Sequence, residues 1–284
     1  MAKVEYKHTE IAVKKQLGQN FLTDRNIPKK IVRISEAEDA DRILEIGPGF
    51  GALTREIREI VPSFTVVEKD PKLAAFIRSE YPELTVIEAD FLKTDLQALA
   101  GSGKLCVLGN IPYSITSPIL FKLLENRKSI SRATLMMQHE VAMRIVAEPS
   151  TRDYGILAVQ LQAFFDVRYC FKVGRKVFRP QPGVDSAVIT LKPKKDVPLA
   201  DPEGFSRFVR CAFRQRRKTL LNNLKDDYNL EQTSNETLAL RAEALTVDDF
   251  FRLFHSITKK DPQCRSIRRT NKNGRETSTI VDCP

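Results

Sequence analysis

Three glycines in the stretch "EIGPGFGALT" are the first residues whose type and spacing point to chemistry. Gly47, Gly49 and Gly51 stand between a predicted strand and a predicted helix. There, glycine lets the backbone turn tightly and approach a ligand, and the helix start offers unpaired N–H groups. The pattern Gly47-x-Gly49-x-x-Ala52 formally satisfies the dinucleotide fingerprint, so the loop alone is compatible with NAD, with another nucleoside cofactor or with a plain turn. No Gly-Lys-Ser/Thr follows, which argues against a phosphate-cradling P-loop.

Two acids follow at the ends of the next predicted strands. Glu68 comes 21 residues after Gly47, where a carboxylate can accept hydrogen bonds from both hydroxyls of a ribose, although Glu68 alone is also compatible with a solvated acid. Asp90 ends the following strand and Phe91 comes next, so an acid can accept a hydrogen bond from an adenine amine while an aromatic ring packs on the base. Gly47, Glu68 and Asp90 together predict an adenosine-shaped site at the carboxyl ends of consecutive strands.

The stretch "LCVLGNIPYSITSPIL" begins as a buried strand and ends in polar and rigid residues. Pro112 fixes its own φ and biases Ile111 towards an extended conformation, so backbone carbonyls can face a ligand. The Asn110 side-chain oxygen and the Ile111 carbonyl could then accept both hydrogens of a planar amine while Tyr113 stacks on the attached ring. This arrangement favours methylation of an exocyclic amine by positioning and electrostatics. A strand-ending Asn-x-Pro turn is the simpler alternative.

The elements that must position these residues alternate from Ile43 onward between short apolar runs and amphipathic patterns, such as "RILEIG" followed by "ALTREIREI". Continuous apolar strands separated by helices predict a parallel sheet covered on both faces, hence a doubly wound α/β domain over residues 1–199. A helix "YGILAVQLQAFF" and two strands around "VRYCFKV" and "VDSAVITLKP" complete it, with "FRPQPG" as a loop. Residues 200–258 are predicted to form a small helical domain without strands, in which "FSRFVRCAFRQRRKTLLNNL", from Phe205 to Leu224, has a helical pattern. Residues 259–284 are predicted to form a disordered basic tail.

Composition narrows the class of protein. The 284 residues carry a net charge of +10 with 46 Lys+Arg against 36 Asp+Glu, which favours polyanionic partners without proving them. Five scattered cysteines form no C-x-x-C pair, so neither a disulfide framework nor a zinc site is indicated. Neither a signal-like N-terminus nor an apolar run of membrane-spanning length is evident, so a soluble, cytoplasmic protein is expected.

A basic run lies in the predicted helical domain. Between residues 207 and 218 there are six cations and no acid, and on a continuous helix they would form a face able to neutralise phosphates. On its own such a run is more often a solvated surface. The six cations are Arg207, Arg210, Arg214, Arg216, Arg217 and Lys218.

An ordered series of motifs resembles the KsgA-type ribosomal RNA adenine dimethyltransferases over residues 14 to 258. The motifs are "GQNFL", "EIGPGFGALT", "VVEKD", "EADFL", "GNIPYSITSPI", "QHEVAMRIVA", "DYGILAVQLQAF" and "VFRPQPGVDSAV". The resemblance implies a Rossmann-like methyltransferase sheet, S-adenosylmethionine as the donor, and two neighbouring adenosines near the end of small-subunit ribosomal RNA, each dimethylated, as the target. An immature small subunit is the accompanying expectation for the substrate, and a monomeric enzyme is expected by default. With an RNA-methylating site implied, we favour RNA contact for the basic run between residues 207 and 218.

The resemblance also assigns roles to residues by motif. Asn20 and Leu22 would close over the cofactor, and Gly47, Glu68, Asp90 and Asn110 would form its remaining contacts. Asn110 and Tyr113 would face the target adenine, and Phe178 of "VFRP" would hold the extruded base from the opposite side. Two positions depart from the family's frequent pattern. Ile111 stands where the family often has Leu, and little changes because this residue acts through its carbonyl. Ser114 stands where the family often has Asn, so a hydrogen bond made by that amide is not carried over to this chain.

Other functions fit part of these residues. A large-subunit ribosomal RNA adenine methyltransferase of the antibiotic-resistance type shares "NIPY", although "QPGVDSAV" and "RAEAL" favour the small-subunit enzyme. A DNA-adenine or protein-glutamine methyltransferase would need a different recognition domain. A ribosome-assembly or transcription factor could keep the fold and act by binding alone. A nicotinamide oxidoreductase is the most distant alternative, since no hydride-transfer acid or base is evident.

Overall fold

The computed structural model describes residues 20–259 and, nearer the N-terminus, the backbone of two short strands. The strands are β1 Lys3–Tyr6, β2 Thr9–Ala12, β3 Phe21–Leu22, β4 Arg42–Ile46, β5 Thr65–Glu68, β6 Thr85–Glu88, β7 Leu105–Asn110, β8 Ile130–Gln138, β9 Phe165–Val173, β10 Phe178–Arg179, β11 Ser186–Pro193, β12 Tyr228–Asn229 and β13 Thr258–Lys259. The helices are α1 Asn26–Ser35, α2 Ala52–Arg58, α3 Pro71–Glu80, α4 Leu96–Ala100, α5 Thr116–Glu125, α6 His139–Ile145, α7 Ile156–Phe164, α8 Pro202–Ala212, α9 Leu220–Leu224, α10 Asn235–Ala239 and α11 Val247–Ser256.

The chain divides into two compact units, Met1–Val197 and Pro198–Pro284. The first contains a seven-stranded sheet in the order β6-β5-β4-β7-β8-β11-β9. Strands β6, β5, β4, β7 and β8 are parallel, whereas β11 runs antiparallel to both β8 and β9. The predicted α/β fold with a largely parallel sheet is therefore confirmed, and its order reverses beside β4, where open α/β sheets bind ligands.

The central strands are buried because their apolar side chains meet helices on both faces. All of Leu105–Gly109 is buried in β7, and Ile43, Val66 and Leu108 belong to one apolar cluster. Strand β7 approaches β4 closely at Gly109, where an added Cβ would lie 3.1 Å from both the Cβ and the carbonyl oxygen of Ile46. Glycine avoids this tight contact between the two strands. The parallel pairing of Gly109 with Ile46 places the next residue, Asn110, at the carboxyl edge of the sheet beside the end of β4.

A two-stranded pairing links the N-terminal segment to the loop that follows β9. Leu22 of β3 pairs with Phe178 of β10, and Phe21 pairs with Arg179. The Thr23 backbone N–H and hydroxyl both donate to the Val177 carbonyl, at 2.8 and 2.9 Å. The "FRPQPG" segment was predicted to be a plain loop, because a two-residue strand carries too little sequence pattern to be distinguished from one.

The second unit has an aromatic core. Phe205 and Phe208 of α8 pack against α11, with ring centroids 5.0 Å apart between Phe205 and Phe251 and 5.5 Å apart between Phe208 and Phe254. Its final helix begins with a capping box in which Thr246 and Asp249 satisfy each other's backbone N–H groups. An apolar face that packs on α8 and a capping box at the N-terminus therefore both stabilise α11.

Two predictions for this unit are wrong. The stretch from Phe205 to Leu224 is not one continuous helix, since α8 ends at Ala212 and α9 begins at Leu220. Strands are present as well: Tyr228–Asn229 pairs with Thr258–Lys259, so Lys259, assigned to the tail, lies in a strand. The rest of the predicted tail, 260–284, lies outside the described residues. Over the part of the chain that is described, no helix is long and apolar enough to cross a membrane.

Candidate active site

A cavity open to solvent lies at the carboxyl ends of β4, β5, β6 and β7, with about 1220 Å³ of empty space when the solvent at its mouth is included. The structure brings seven of the eight residues proposed for the site into its lining. They are Asn20, Leu22, Gly47, Glu68, Asp90, Asn110 and Tyr113. Residues that are far apart in the sequence meet here because parallel strands end at one edge of the sheet, and β3 adds the N-terminal segment.

The glycine turn after β4 forms the floor of this cavity. Gly47, with φ of +61°, adopts a left-handed backbone that other residues rarely take, and its N–H donates to the Val67 carbonyl at 2.9 Å. Gly49 also has a positive φ of +59°, and a Cβ there would lie 3.1 Å from the Phe21 ring. The glycines therefore serve both the turn itself and the close approach of the N-terminal segment.

Glu68 is fixed at the end of β5 by backbone donors. Its Oε2 accepts from the Gly49 N–H at 3.3 Å and its Oε1 from the Asp70 N–H at 2.8 Å. The side chain is only 6% exposed, and burial raises the pKa of Glu68 despite these two hydrogen bonds. A carboxylate has about four lone-pair sites, so the two oxygens can still accept from a ligand's hydroxyls.

Asp90 follows β6 and is more exposed. Its Oδ2 pairs with the Lys69 ammonium at 2.8 Å, and its Oδ1 accepts from the Leu92 N–H at 3.0 Å. The Lys69 hydrogen bond lowers the pKa of Asp90, so this acid is charged at neutral pH. Phe91 is buried beside it and also lines the cavity.

Glu45, which the sequence analysis did not single out, lines the same cavity. It is 1% exposed, and burial raises its pKa to about 8, with the charge of Glu68 adding to the effect. The Thr54 hydroxyl donates to Glu45 Oε2 at 2.7 Å. An acid inside an otherwise apolar strand was the sequence signal that could have identified it.

Two aromatic side chains were also missed. Phe21 and Phe50 line the cavity with ring centroids 4.6 Å apart in an edge-to-face arrangement, and Phe76 packs on Phe50 at 5.5 Å. Both lining rings lie inside motifs that the sequence analysis quoted, "GQNFL" and "GPGFG". Their joint placement depends on the approach of β3 to the glycine turn, which sequence spacing does not reveal.

Asn110 has its amide orientation set by the N-terminal segment. Its Nδ2 donates to the Asn20 carbonyl at 3.0 Å, so Oδ1 is left as the acceptor atom. The Ile111 N–H donates to the Met136 carbonyl at 3.0 Å. The Pro112 carbonyl accepts from the Ile115 N–H at 3.2 Å and the Thr116 hydroxyl at 3.3 Å, whereas no described residue donates to the Ile111 carbonyl.

Tyr113 lies in a single turn of 3₁₀ helix and is half-buried. Its hydroxyl and the Ser186 hydroxyl are 2.7 Å apart, within hydrogen-bond distance. Burial raises the pKa of Tyr113, so the phenol stays neutral at physiological pH. Ser114 is exposed at the rim of the cavity.

Phe178 requires a correction. Its side chain is 0% exposed, belongs to the main apolar cluster and does not line the cavity. The ring therefore lies outside the cavity in which its predicted role, holding an extruded base, would place it. That role came from the resemblance of "VFRP" to the family motif, and the pairing of β10 with β3 places this ring in the core.

The basic run in the second unit also differs from the prediction. Because α8 ends at Ala212, the six cations do not share one helix face. Arg214 pairs with Asp227 at 2.5 Å and Arg216 with Glu243 at 3.1 Å. The turns between α8 and α9 are held by the buried Asn223, whose side chain bonds the Ala212 carbonyl at 2.7 Å and the Gln215 N–H at 3.2 Å.

Two cations in these turns remain exposed without a described ion pair, Arg217 and Lys218. Arg207 contacts Asp201 and Glu203 only at 3.8 Å. No group of three or more His, Cys, Asp or Glu that could hold a metal ion is present among the residues described.

Two solved structures are similar to this chain in fold. One is a dimethyladenosine transferase from Plasmodium falciparum, with a TM-score of 0.70 and 27% identity over 82% of this chain and 95% of that one. The other is the 23S rRNA methyltransferase ErmE, with a TM-score of 0.66 and 30% identity over 83% of this chain and 98% of that one. Both support the predicted methyltransferase fold.

Sequence relatives are closer. The chain is 75% identical over 260 residues to the ribosomal RNA small subunit methyltransferase A of Chlorobium limicola, covering 92% of this chain and 99% of that protein. It is 64% identical to the protein of the same name from Chlorobaculum tepidum, over 89% of this chain and 92% of that one. The family described as "Ribosomal RNA adenine dimethylase" matches residues 11–259. The chain therefore belongs to the ribosomal RNA adenine dimethylase family.

Proposed function

We propose that this enzyme transfers methyl groups from S-adenosylmethionine to the exocyclic amines of two adjacent adenosines in the 3′-terminal hairpin of small-subunit ribosomal RNA, as part of small-subunit biogenesis. The observation that carries the proposal is the Asn110 amide, oriented by the Asn20 carbonyl inside the cavity that also contains the glycine turn and Glu68. The names of two relatives, 75% and 64% identical to this chain over the aligned residues, support the choice of RNA.

The donor and acceptor set of the cavity fits S-adenosylmethionine. Glu68 would accept from both ribose hydroxyls, and Asp90 would accept from the adenine amine beside the buried ring of Phe91. The glycine turn leaves room for the close approach of a nucleoside, and Leu22 covers it. When bound, S-adenosylmethionine supplies an electrophilic methyl group on a sulfonium.

Asn110 and Ile111 would act on the target amine. The lone pair of that amine is delocalised into the adenine ring, so it is a poor nucleophile. Asn110 Oδ1 and the Ile111 carbonyl accept its hydrogens and favour a tetrahedral nitrogen whose lone pair points towards the methyl group. Both acceptors also stabilise the positive charge that develops on the nitrogen, so no strong base is required.

Tyr113 offers its ring to the extruded adenine. Methylating a base inside a stack requires extrusion, because the stack hides the amine. A half-buried phenol in the cavity wall can hold such a base by stacking, which is worth about 1–3 kcal/mol per base. The buried position of Phe178 leaves Tyr113 as the proposed stacking residue, with Phe178 acting through the backbone pairing that fixes Leu22.

The small-subunit assignment is favoured over the large-subunit alternative by identity. Relatives named for the small subunit reach 75%, whereas ErmE, named for 23S rRNA, is 30% identical. A role by binding alone is disfavoured because the Asn110 amide is oriented with its oxygen as an acceptor, as methylation of an amine requires. We further propose an immature small subunit as the substrate, a monomeric enzyme and a cytoplasmic site of action.

RNA contact is proposed for the turns between α8 and α9. Arg217 and Lys218 are exposed there, while the neighbouring Arg214 and Arg216 are engaged with acids. Asn223 holds the shape of these turns, so both cations project from a fixed backbone. Cations that are not already neutralised release the most counterions on binding phosphate.

The primary test is incubation with labelled S-adenosylmethionine and immature small subunits, followed by mapping of the modified nucleotides. We expect label in the small-subunit hairpin, and a methylation rate lowered by about 10²–10³-fold in Asn110→Ala, because one preorganised acceptor is lost. Cofactor binding should remain measurable in this variant. Label confined to large-subunit RNA would overturn the assignment.

Asn126→Ala is the matched control for that variant. The Asn126 amide also donates to a backbone carbonyl, that of Lys122 at 2.9 Å, but it lies at the end of α5 and does not line the cavity. We expect it to methylate at the rate of the unchanged protein. An equal loss in both variants would mean that the effect is structural.

The affinity for S-adenosylmethionine should fall as the pH decreases. The ionised form of Glu68 is the one that accepts hydrogen bonds from two ribose hydroxyls, and burial raises the pKa of this carboxyl. The affinity is therefore full above the raised pKa. Below it, the affinity declines by at most about tenfold per pH unit as the carboxylate is protonated. Calorimetric titration between pH 5 and 7 measures this, below the range in which Glu45, with a pKa of about 8, begins to ionise. In Glu68→Gln the decline should vanish; an unchanged slope removes Glu68 from the site.

Replacing both Arg217 and Lys218 by alanine should weaken RNA binding. The slope of log affinity against log salt concentration should become less steep by about 1–2, as expected for the loss of two phosphate contacts. The control is Arg207→Ala with Arg252→Ala, which removes the same charge from cations that already face acids. If both double variants change the slope equally, the effect is one of net charge and the turns do not contact RNA.

A further inference from the structure

The motif "VFRPQPGVDSAV" contains a serine that the proposed mechanism does not use. Ser186 is 0% exposed, does not line the cavity, and has its hydroxyl 2.7 Å from the hydroxyl of Tyr113. Tyr113 does line the cavity. The Tyr113 side chain therefore lines the cavity, while its hydroxyl is hydrogen-bonded to a buried serine of β11 that lies outside the cavity lining.

Ser186 is a rigid anchor because β11 is paired on both sides. It lies opposite Gln138 of β8 and opposite Val173 of β9. The preceding residue, Asp185, is fixed as well: its carbonyl accepts from the His139 N–H at 2.9 Å, and its side chain accepts from the Arg175 N–H at 3.0 Å.

Tyr113 is consequently held at both ends. Its backbone follows the rigid Pro112 in a short turn, and its hydroxyl is bonded to a fixed strand. An unbonded tyrosine ring would have to be ordered when a base stacks on it, and ordering a side chain opposes binding. A ring that is already held presents its face to the base without that loss.

We propose that Ser186 is a positioning residue for adenine methylation, and that the Tyr113 hydroxyl is a tether to Ser186 and does not contact the target base. The inference rests on the proposed function of the cavity. It assigns the base contact to the ring face of Tyr113 alone, so the site would select a planar base by stacking and read its amine only through Asn110 and Ile111.

A double-mutant cycle in the full-length protein tests this, with kcat and KM for small-subunit RNA measured under saturating S-adenosylmethionine. Ser186→Ala and Tyr113→Phe should each lower kcat by about five- to tenfold, as expected for one lost hydrogen bond. The double variant should be no slower than either single variant, because both changes break the same bond. Tyr113→Ala should be slower still, since the stacking face is lost.

Ser35→Ala is the matched control. Ser35 is equally buried, and its hydroxyl donates at 2.7 Å to the Val32 carbonyl in α1, away from the cavity lining. It should lower the melting temperature as Ser186→Ala does but leave kcat unchanged. Wild-type kcat in Tyr113→Phe, or multiplied losses in the double variant, would overturn the inference, and Tyr113→Phe remains informative even if Ser186→Ala fails to fold.

The inference and the proposed function fail differently. If Asn110→Ala and Tyr113→Ala are impaired while Ser186→Ala behaves like Ser35→Ala, only the tether is wrong. If Asn110→Ala and Tyr113→Ala methylate normally, the cavity is not the reaction site, and the tether falls with it.

Discussion

The hydrogen bond from the Asn110 amide to the Asn20 carbonyl is the constraint on which the arrangement of this site depends. An asparagine can present either an oxygen or an NH₂ group to a ligand, and those two choices have opposite consequences for an amine. Because Nδ2 is engaged by the N-terminal segment, Oδ1 becomes the acceptor. The same bond ties the N-terminal segment beside the cavity to the end of β7. Under the proposed function, cofactor cover and amine recognition would therefore depend on one hydrogen bond.

Three acids, Glu45, Glu68 and Asp90, line the same cavity as Asn110. Burial raises the pKa of both Glu68 and Glu45, and hydrogen-bond donors from the protein partly offset the effect at each carboxyl. Asp90 is treated differently, since Lys69 lowers its pKa and keeps it ionised. A ligand with hydroxyl and amine donors therefore meets acceptors whose own demand for hydrogen bonds is only partly met.

Sequence patterns predicted the parts of this protein that depend on local rules. Apolar runs, glycine turns and acids at strand ends locate the sheet, and parallel strands ending at one edge bring Gly47, Glu68, Asp90 and Asn110 together. The failures involve contacts between distant segments. Phe178 is buried by pairing with β3, and the arginine run is broken by the side chain of Asn223, which no periodicity reveals. The tether from Tyr113 to Ser186 joins residues 73 positions apart for the same reason.

The central claim is that Asn110 recognises the target amine through its oxygen, in an orientation set before the base arrives. A crystal structure of the enzyme with S-adenosylhomocysteine and a short RNA containing the two adenosines would test it most directly. The account predicts the adenine N6 within about 2.7–3.2 Å of Asn110 Oδ1 and of the Ile111 carbonyl, with the bond from Nδ2 to Asn20 intact. An N6 bound elsewhere, or an Asn110 amide turned away from Asn20, would contradict it.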